Sequence, residues 1–338
     1  MYVDQWGEIH LGLDKEKPLE PSQLGGNEEL GVDQLSDIGA KVKRYGTAKA
    51  RNREMAAFLV QGSTQATNDP LRKLSKLLYD CASWLEFHHY TETNQTVLSN
   101  AITCKKHLLC PVCAIRRGVK TLRNYHERAL FLAPKFDFYL VTLTVKNGPD
   151  LAERFNHLKH SFKRLRTRGR DGYGEWSRVA GAVWSTEFTK SSEGWHPHIH
   201  AIVSLPKGER PIRYGEGSQL SLDWLAVTGD SYIVHTNRIK GDDSDLAAGL
   251  CEVLKYALKF SDLDLADNLE AFYALRGKRL IQASGVFYGL ELPESDDLLD
   301  DPLDGPYITL FFKYGSAGYR LDRGVSLPHS LGGVQNGN

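Results

Sequence analysis

Alternation and helical periodicity resolve the chain into a clear succession of elements from about residue 70 onward. Pro70 opens a helix expected over 71–85, with Leu71, Leu74, Leu77, Leu78 and Cys81 along one side. A second helix is expected over 114–132, with Arg116, Arg117, Lys120 and Arg123 on its outer side. Residues 137–145 alternate as a strand, Thr142 and Thr144 on one face and Val141, Leu143 and Val145 on the other. An amphipathic helix follows over 151–166, with Phe155, Leu158, Phe162 and Leu165 inward and basic residues outward. Two strands, 179–189 and 195–205, precede a helix over 245–260 whose buried side carries Leu246, Leu250, Val253, Leu254 and Ala257. Residues 1–68 are rich in Gly, Asp, Glu and Gln and weakly periodic. They read as a partly flexible extension with one helix around 49–60.

The strand over 195–205 holds the most unusual pattern, Trp195-His196-Pro197-His198-Ile199-His200. Side chains alternate faces on a strand, so His196, His198 and His200 all project the same way. Three imidazoles on one face of a buried strand are costly unless something binds them. The strand before it contains Glu187, and the linking Thr-Lys-Ser-Ser-Glu-Gly has hairpin chemistry. Antiparallel pairing would bring Glu187 towards His198 and His200. A two-His, one-carboxylate site with open positions suits Mn²⁺ or Mg²⁺, and other divalent ions besides.

Five cysteines occur: Cys81, Cys104, Cys110, Cys113 and Cys251. Cys110-Pro-Val-Cys113 is a knuckle that lets two thiolates grip one Zn²⁺, and Cys104 is a third ligand. Cys81, His107, His88 or His89 could supply the fourth. Cys81 is favoured, because a thiolate completes a closed structural site.

The net charge is zero, but the charge is segregated. Basic residues outnumber acidic ones more than two to one between Cys104 and Arg178, while Glu291 to Asp304 carries 7 acids and no base. A neutral total therefore leaves room for a nucleic-acid partner. No apolar run is long enough for a membrane span, and the N-terminus lacks a basic region followed by an apolar one, which points to the cytoplasm.

On the helix over 245–260, Glu252 and Tyr256 lie one turn apart, with Lys255 and Lys259 beside the tyrosine. A phenol, a carboxylate and an ammonium form a coherent phosphoryl-transfer set: nucleophile, general base, and a cation to lower the cost of phenolate.

Taken together, Tyr139-Leu-Val-Thr-Leu-Thr144, His196-Pro-His-Ile-His200, Glu252-Val-Leu-Lys-Tyr256-Ala-Leu-Lys259, Leu109-Cys110-Pro-Val-Cys113-Ala-Ile-Arg-Arg117, Asp80-Cys81-Ala-Ser-Trp-Leu-Glu-Phe87 and Arg276 to Phe287 resemble the rolling-circle plasmid replication initiators of the HUH endonuclease superfamily. The single tyrosine with a glutamate four residues earlier is similar to the subgroup that uses one of each. The resemblance covers about residues 70 to 290. It implies an α+β fold, a central antiparallel sheet with helices on one face and an attached zinc-binding element. Residues 1–68 find no counterpart in it, and the expected division of the chain is an extension over 1–68, a zinc element and basic helix over 69–132, a nuclease core over 133–290, and an acidic loop with a closing strand over 291–338. The resemblance also implies metal ligation by His198, His200 and Glu187, with His196 ligating or only orienting.

The implied activity is site-specific nicking and joining of single-stranded or hairpin origin DNA through a 5′-phosphotyrosine on Tyr256, with Glu252 activating water at termination. Arg116, Arg117 and Lys255 would contact DNA, including a double-stranded recognition site. Trp184, Trp195, Tyr214 and Trp224 are candidate stacking platforms. A host helicase and polymerase would be partners. The rivals are an HUH relaxase or single-strand transposase, and a non-catalytic zinc-containing DNA-binding regulator, which would leave the histidine strand and Tyr256 idle.

Overall fold

The computed structural model describes residues 2–3, 9–10, 32–64, 66, 68–213, 215, 217–254, 263–289, 299–300 and 303–326. The chain divides into two compact units, Met1–Leu13 with Arg117–Glu294, and Asp14–Arg116 with Ser295–Asn338. The fold is α+β, with antiparallel sheets flanked by helices.

The first unit is built on a five-stranded antiparallel sheet. Its strands are β5 (Phe136–Thr144), β6 (Gly181–Ser191), β7 (Gly194–Pro206), β8 (Val234–Ile239) and β9 (Ile281–Gly285), in the order β8-β5-β7-β6-β9. The histidine strand β7 is therefore central. Two-residue strands β1 (Tyr2–Val3) and β2 (Ile9–His10) pair with each other.

One sheet face packs on α4 (Leu151–Arg170) and α5 (Gln219–Thr228). Its core joins Val141, Leu143, Ile199, Ala201 and Val203 to Leu158, Phe162, Leu165 and Trp224. Asp150 caps α4, its Oδ1 accepting from Glu153 N–H at 2.9 Å. The opposite face is covered by α6 (Asp243–Leu254). A Cβ added at Gly249 of α6 would meet Ile239 and Ile202, so helix and sheet approach closely there. The expectation of helices on one face is thus corrected: they flank both. The reason lies in β7, whose even-numbered positions include apolar Ile202 as well as histidines, and Ile202 needs cover. Helix α7 (Leu265–Leu275) braces the β6–β7 hairpin, with Lys190 pairing Asp267 and Trp195 Nε1 donating to Glu270 Oε1 at 2.9 Å.

The second unit has a four-stranded antiparallel sheet, β11-β10-β3-β4, formed by β3 (Trp84–Tyr90), β4 (Gln95–Ala101), β10 (Tyr307–Gly315) and β11 (Gly318–Ser326). With it go α1 (Val32–Gln61), α2 (Pro70–Asp80) and the start of α3 (Pro111–Leu132). Helix α2 stops at Asp80, short of the expected 85, because the chain turns out through Cys81 and through Ala82 at φ 53. Residues 84–90 then alternate buried and half-buried, which is strand behaviour. Helix α1 spans 30 residues, far more than the expected 49–60. Its buried stripe includes Lys49 and Asn52 beside Tyr45, Met55 and Leu59, and two polar residues in an inward row conceal the period. None of the described helices is long and apolar enough to cross a membrane.

Candidate active site and metal centres

The β6–β7 register places Glu187 directly opposite His198, and Ser185 opposite His200. On the other flank, β5 places Thr142 opposite His200. Directly paired residues share a face, so three neighbouring strands deliver Glu187, His198, His200 and Thr142 to one patch. Glu187 Oε2 lies 2.8 Å from His198 Nε2 and 3.2 Å from His200 Nε2. One donor atom from each of these three buried residues falls within 4.8 Å of the others.

The donor set fits a divalent cation. A buried carboxylate wedged between two imidazoles needs positive charge, because an uncompensated buried anion costs several kcal/mol. His200 Nδ1 is 2.9 Å from Thr142 Oγ1. If Nδ1–H donates there, the Nε2 lone pair faces Glu187, as a metal-ligating histidine requires. His198 Nδ1 sits 3.4 Å from the His196 carbonyl in the same sense. His196 itself is outside the group. Its Nδ1 contacts Asn147 Oδ1 at 2.5 Å, and burial together with neighbouring His198 lowers its pKa.

The end of α6 lies against this same patch, since Ser185 Oγ donates to the Val253 carbonyl. Glu252 is half-buried one residue earlier. The neighbouring Cys251 thiol is pushed up to about 12 by burial and by Glu252. Lys255, Tyr256 and Lys259 lie outside the described residues, as does Tyr214. Tyr256 follows the last described residue of α6, Leu254, by two positions.

Four buried cysteines form the second cluster. Sγ–Sγ separations are 3.5 Å for Cys81–Cys110, 3.7 Å for Cys81–Cys113 and 3.6 Å for Cys104–Cys113. Four sulfurs about 2.3 Å from one tetrahedral ion stand roughly 3.8 Å apart. A disulfide would need about 2.05 Å. The spacing therefore fits a single thiolate-bound ion, and Cys81 is the fourth member. Hydrogen bonding to Cys110 raises the Cys104 pKa, and hydrogen bonding to Cys104 raises that of Cys113. Against the pull of burial, the hydrogen bonds from Cys104, Cys113 and Cys81 hold Cys110 well below an ordinary thiol. Cys251 is buried elsewhere.

Some expected surface residues prove to be interior. Arg116, expected on the outer side of α3, is 3% exposed, pairs with Asp300 and donates to Tyr45 Oη at 2.9 Å. Arg117 is half-buried. Trp184, Trp195 and Trp224, the candidate stacking platforms, are all buried in the core. Lys120 is buried as well, while Arg123 is exposed as expected; further exposed basic residues lie on α4, where Lys159, Lys163, Arg164 and Arg168 face solvent. Thr142 and Asn147 had no assigned part in the sequence reading. Thr142 was visible only as a polar residue sharing one face of its strand with Thr144, within the Tyr139–Thr144 motif.

An antiparallel sheet carrying a buried Glu–His–His group, together with a separate four-cysteine group in the other unit, defines an α+β protein with two sites that could each hold a metal ion. A family model described as "Replication protein" matches residues 95–305. The chain belongs to that family, the plasmid replication proteins of the rolling-circle type, whose activity in general is nicking and closing of DNA at an origin. No curated protein and no solved structure gives a significant match.

Proposed function

We propose that this chain starts rolling-circle replication by nicking one strand of plasmid origin DNA with Tyr256, and ends it with a second cleavage assisted by Glu252. The observation that carries the reading is the meeting of Glu187, His198 and His200 on the face of β7 against which α6 ends. A divalent ion held there, Mn²⁺ or Mg²⁺, would supply Lewis-acid polarisation of the scissile phosphate. Tyr256 gives up its phenol proton to solvent and its oxygen attacks phosphorus; the bond to the 3′ oxygen breaks, and that oxygen takes a proton from solvent and leaves as a 3′-OH. The protein is left joined to the 5′ phosphate. Lys259 lowers the cost of the phenolate, and Glu252 accepts a proton from water at termination. The 3′-OH primes synthesis by a host polymerase behind a host helicase.

Lys255, Arg117 and the outer side of α4 contact phosphates. The four-cysteine group binds Zn²⁺ as a structural site. The test is a labelled single-stranded origin oligonucleotide with Mn²⁺, scored for nick, covalent adduct and rejoined product. Wild type gives all three and His198→Ala gives none. An adduct formed without divalent metal, or a nick without an adduct, defeats the reading.

A further inference from the structure

The buried side of α1 is apolar at Tyr45, Ala48, Met55, Ala56 and Leu59, and polar at Lys49 and Asn52. Those two polar residues face the cysteines. Asn52 Nδ2 donates to Cys110 Sγ at 3.0 Å. Lys49 is 0% exposed, and its Nζ donates to the Tyr79 carbonyl and, at 2.5 Å, to the Cys81 carbonyl. Among the described residues Lys49 has no ion pair. The one carboxylate close by, Asp80, already pairs with Lys76. A second cation stands behind it: the Arg53 guanidinium lies 4.9 Å from the Tyr79 ring centre and 4.7 Å from that of Tyr314.

A fully buried ammonium without a counter-charge costs several kcal/mol. Four thiolates around a dication carry a net charge of about −2. Each charge is the remedy for the other. We propose that Lys49 and Asn52 belong to the four-cysteine metal site: the Lys49 ammonium offsets the net negative charge of the thiolate-bound ion, and the Asn52 amide holds the Cys110 sulfur as an acceptor. The inference rests on the reading of the four cysteines as a metal site. It gives α1 a task beyond packing, because metal retention and docking of this helix become linked. Lys49 also grips the point where α2 ends and Cys81 begins, so it orients that ligand through its own carbonyl.

The test uses the full chain loaded with zinc and a competing chromophoric chelator. Lys49→Met keeps the length and removes the charge, and it is expected to give up zinc about 10–100-fold more readily, the usual effect of losing a partner of a metal ligand. Leu59→Ala, a change in the same buried row, should loosen α1 and, through that linkage alone, cost clearly less zinc affinity than Lys49→Met. Asn52→Leu keeps the bulk and removes the N–H donor. With Co²⁺ in place of zinc it should shift the thiolate-to-metal charge-transfer band to longer wavelength, which packing alone does not do. That variant decides the matter if Lys49→Met does not fold. Equal zinc loss from Lys49→Met and Leu59→Ala overturns the proposal, as does an unmoved Co²⁺ band in Asn52→Leu. Wild-type protein that binds no zinc defeats the four-cysteine reading itself, which is a distinct result.

Discussion

Replacing Thr142 by Val isolates what the Glu–His–His group needs from its surroundings. Thr142 Oγ1 sits 2.9 Å from His200 Nδ1. Valine keeps the β-branched shape that a strand favours and removes only the oxygen. The fold should therefore lose about one hydrogen bond, roughly 1 kcal/mol. For a unit of this size that is a fall in Tm of about 2–4 °C. The effect at the site should be larger. With its Nδ1 partner gone, His200 is free to tilt or change tautomer, and either removes the Nε2 lone pair from the metal position. Losing such a partner typically weakens metal binding about 10–100-fold, or about 1.4–2.7 kcal/mol. The assay is nicking of a single-stranded oligonucleotide across a Mn²⁺ titration, with Mn²⁺ affinity measured calorimetrically on the same preparation. The half-saturating Mn²⁺ concentration should rise by that factor, while the rate at saturating metal returns to near wild type. A rate lost at every metal concentration would mean that Thr142 touches the chemistry itself. An unchanged titration would mean that His200 does not ligate through Nε2.

Tyr256→Phe should bind origin DNA and form no covalent adduct, visible as the absence of a protein-linked labelled band. Glu252→Ala should form the adduct and the first nick but fail to terminate, so that adduct accumulates; normal release would remove its assigned part. Cys110→Ser should lose zinc and lower thermal stability while the Mn²⁺ requirement for nicking a short single strand stays unchanged. Exchanging Lys159, Lys163 and Arg168 for Gln should flatten the salt dependence of duplex-origin binding by about 0.9 in log–log slope for each phosphate contact removed. The last expectation draws on α4 itself: Lys159 and Lys163, and Arg164 and Arg168, are exposed like charges four residues apart, each pair costing the isolated helix about 0.2–0.5 kcal/mol unless an anion sits over it.

Strand-level alternation was the most legible feature of the sequence. The histidine strand, Glu187 as the carboxylate opposite it, and the Cys104, Cys110 and Cys113 trio could be placed because each depends on local spacing or on one hairpin, whereas Cys81, far from them in sequence, was favoured on thiolate chemistry and the resemblance. What could not be read were partnerships across long sequence separations. Arg116 looks like a surface base on an amphipathic helix until Asp300 is brought beside it. Trp184 and Trp224 look like possible platforms until the helix layer covers them, and Trp195 until Glu270 is brought to its ring nitrogen. The full length of α1 was hidden for a related reason: Lys49 and Asn52 occupy inward positions, hydrogen-bonded to Cys81 and Cys110, and a pattern that equates polar with exposed breaks there.

The site depends on strand register more than on any single side chain. β7 sends Ile199, Ala201 and Val203 into the α4 layer and His198 and His200 to the α6 layer. Only a central strand can take Glu187 from one neighbour and Thr142 from the other, so an edge strand could not assemble this group. A slip of one residue between β6 and β7 would set Thr186 or Phe188 opposite His198 and drive Glu187 into the apolar core, where a lone carboxylate is untenable. The start of β7 is held by the segment that follows β5. Gly148 and Trp195 exchange backbone hydrogen bonds of 3.1 and 2.7 Å. Gly194, at φ +100, lets them do so, because a Cβ there would come within 2.5 Å of the Gly148 carbonyl oxygen. The glycine that opens the histidine strand therefore belongs to the chemistry by geometry: it lets the segment after β5 bridge to β7, beyond the ladder that sets Thr142 opposite His200.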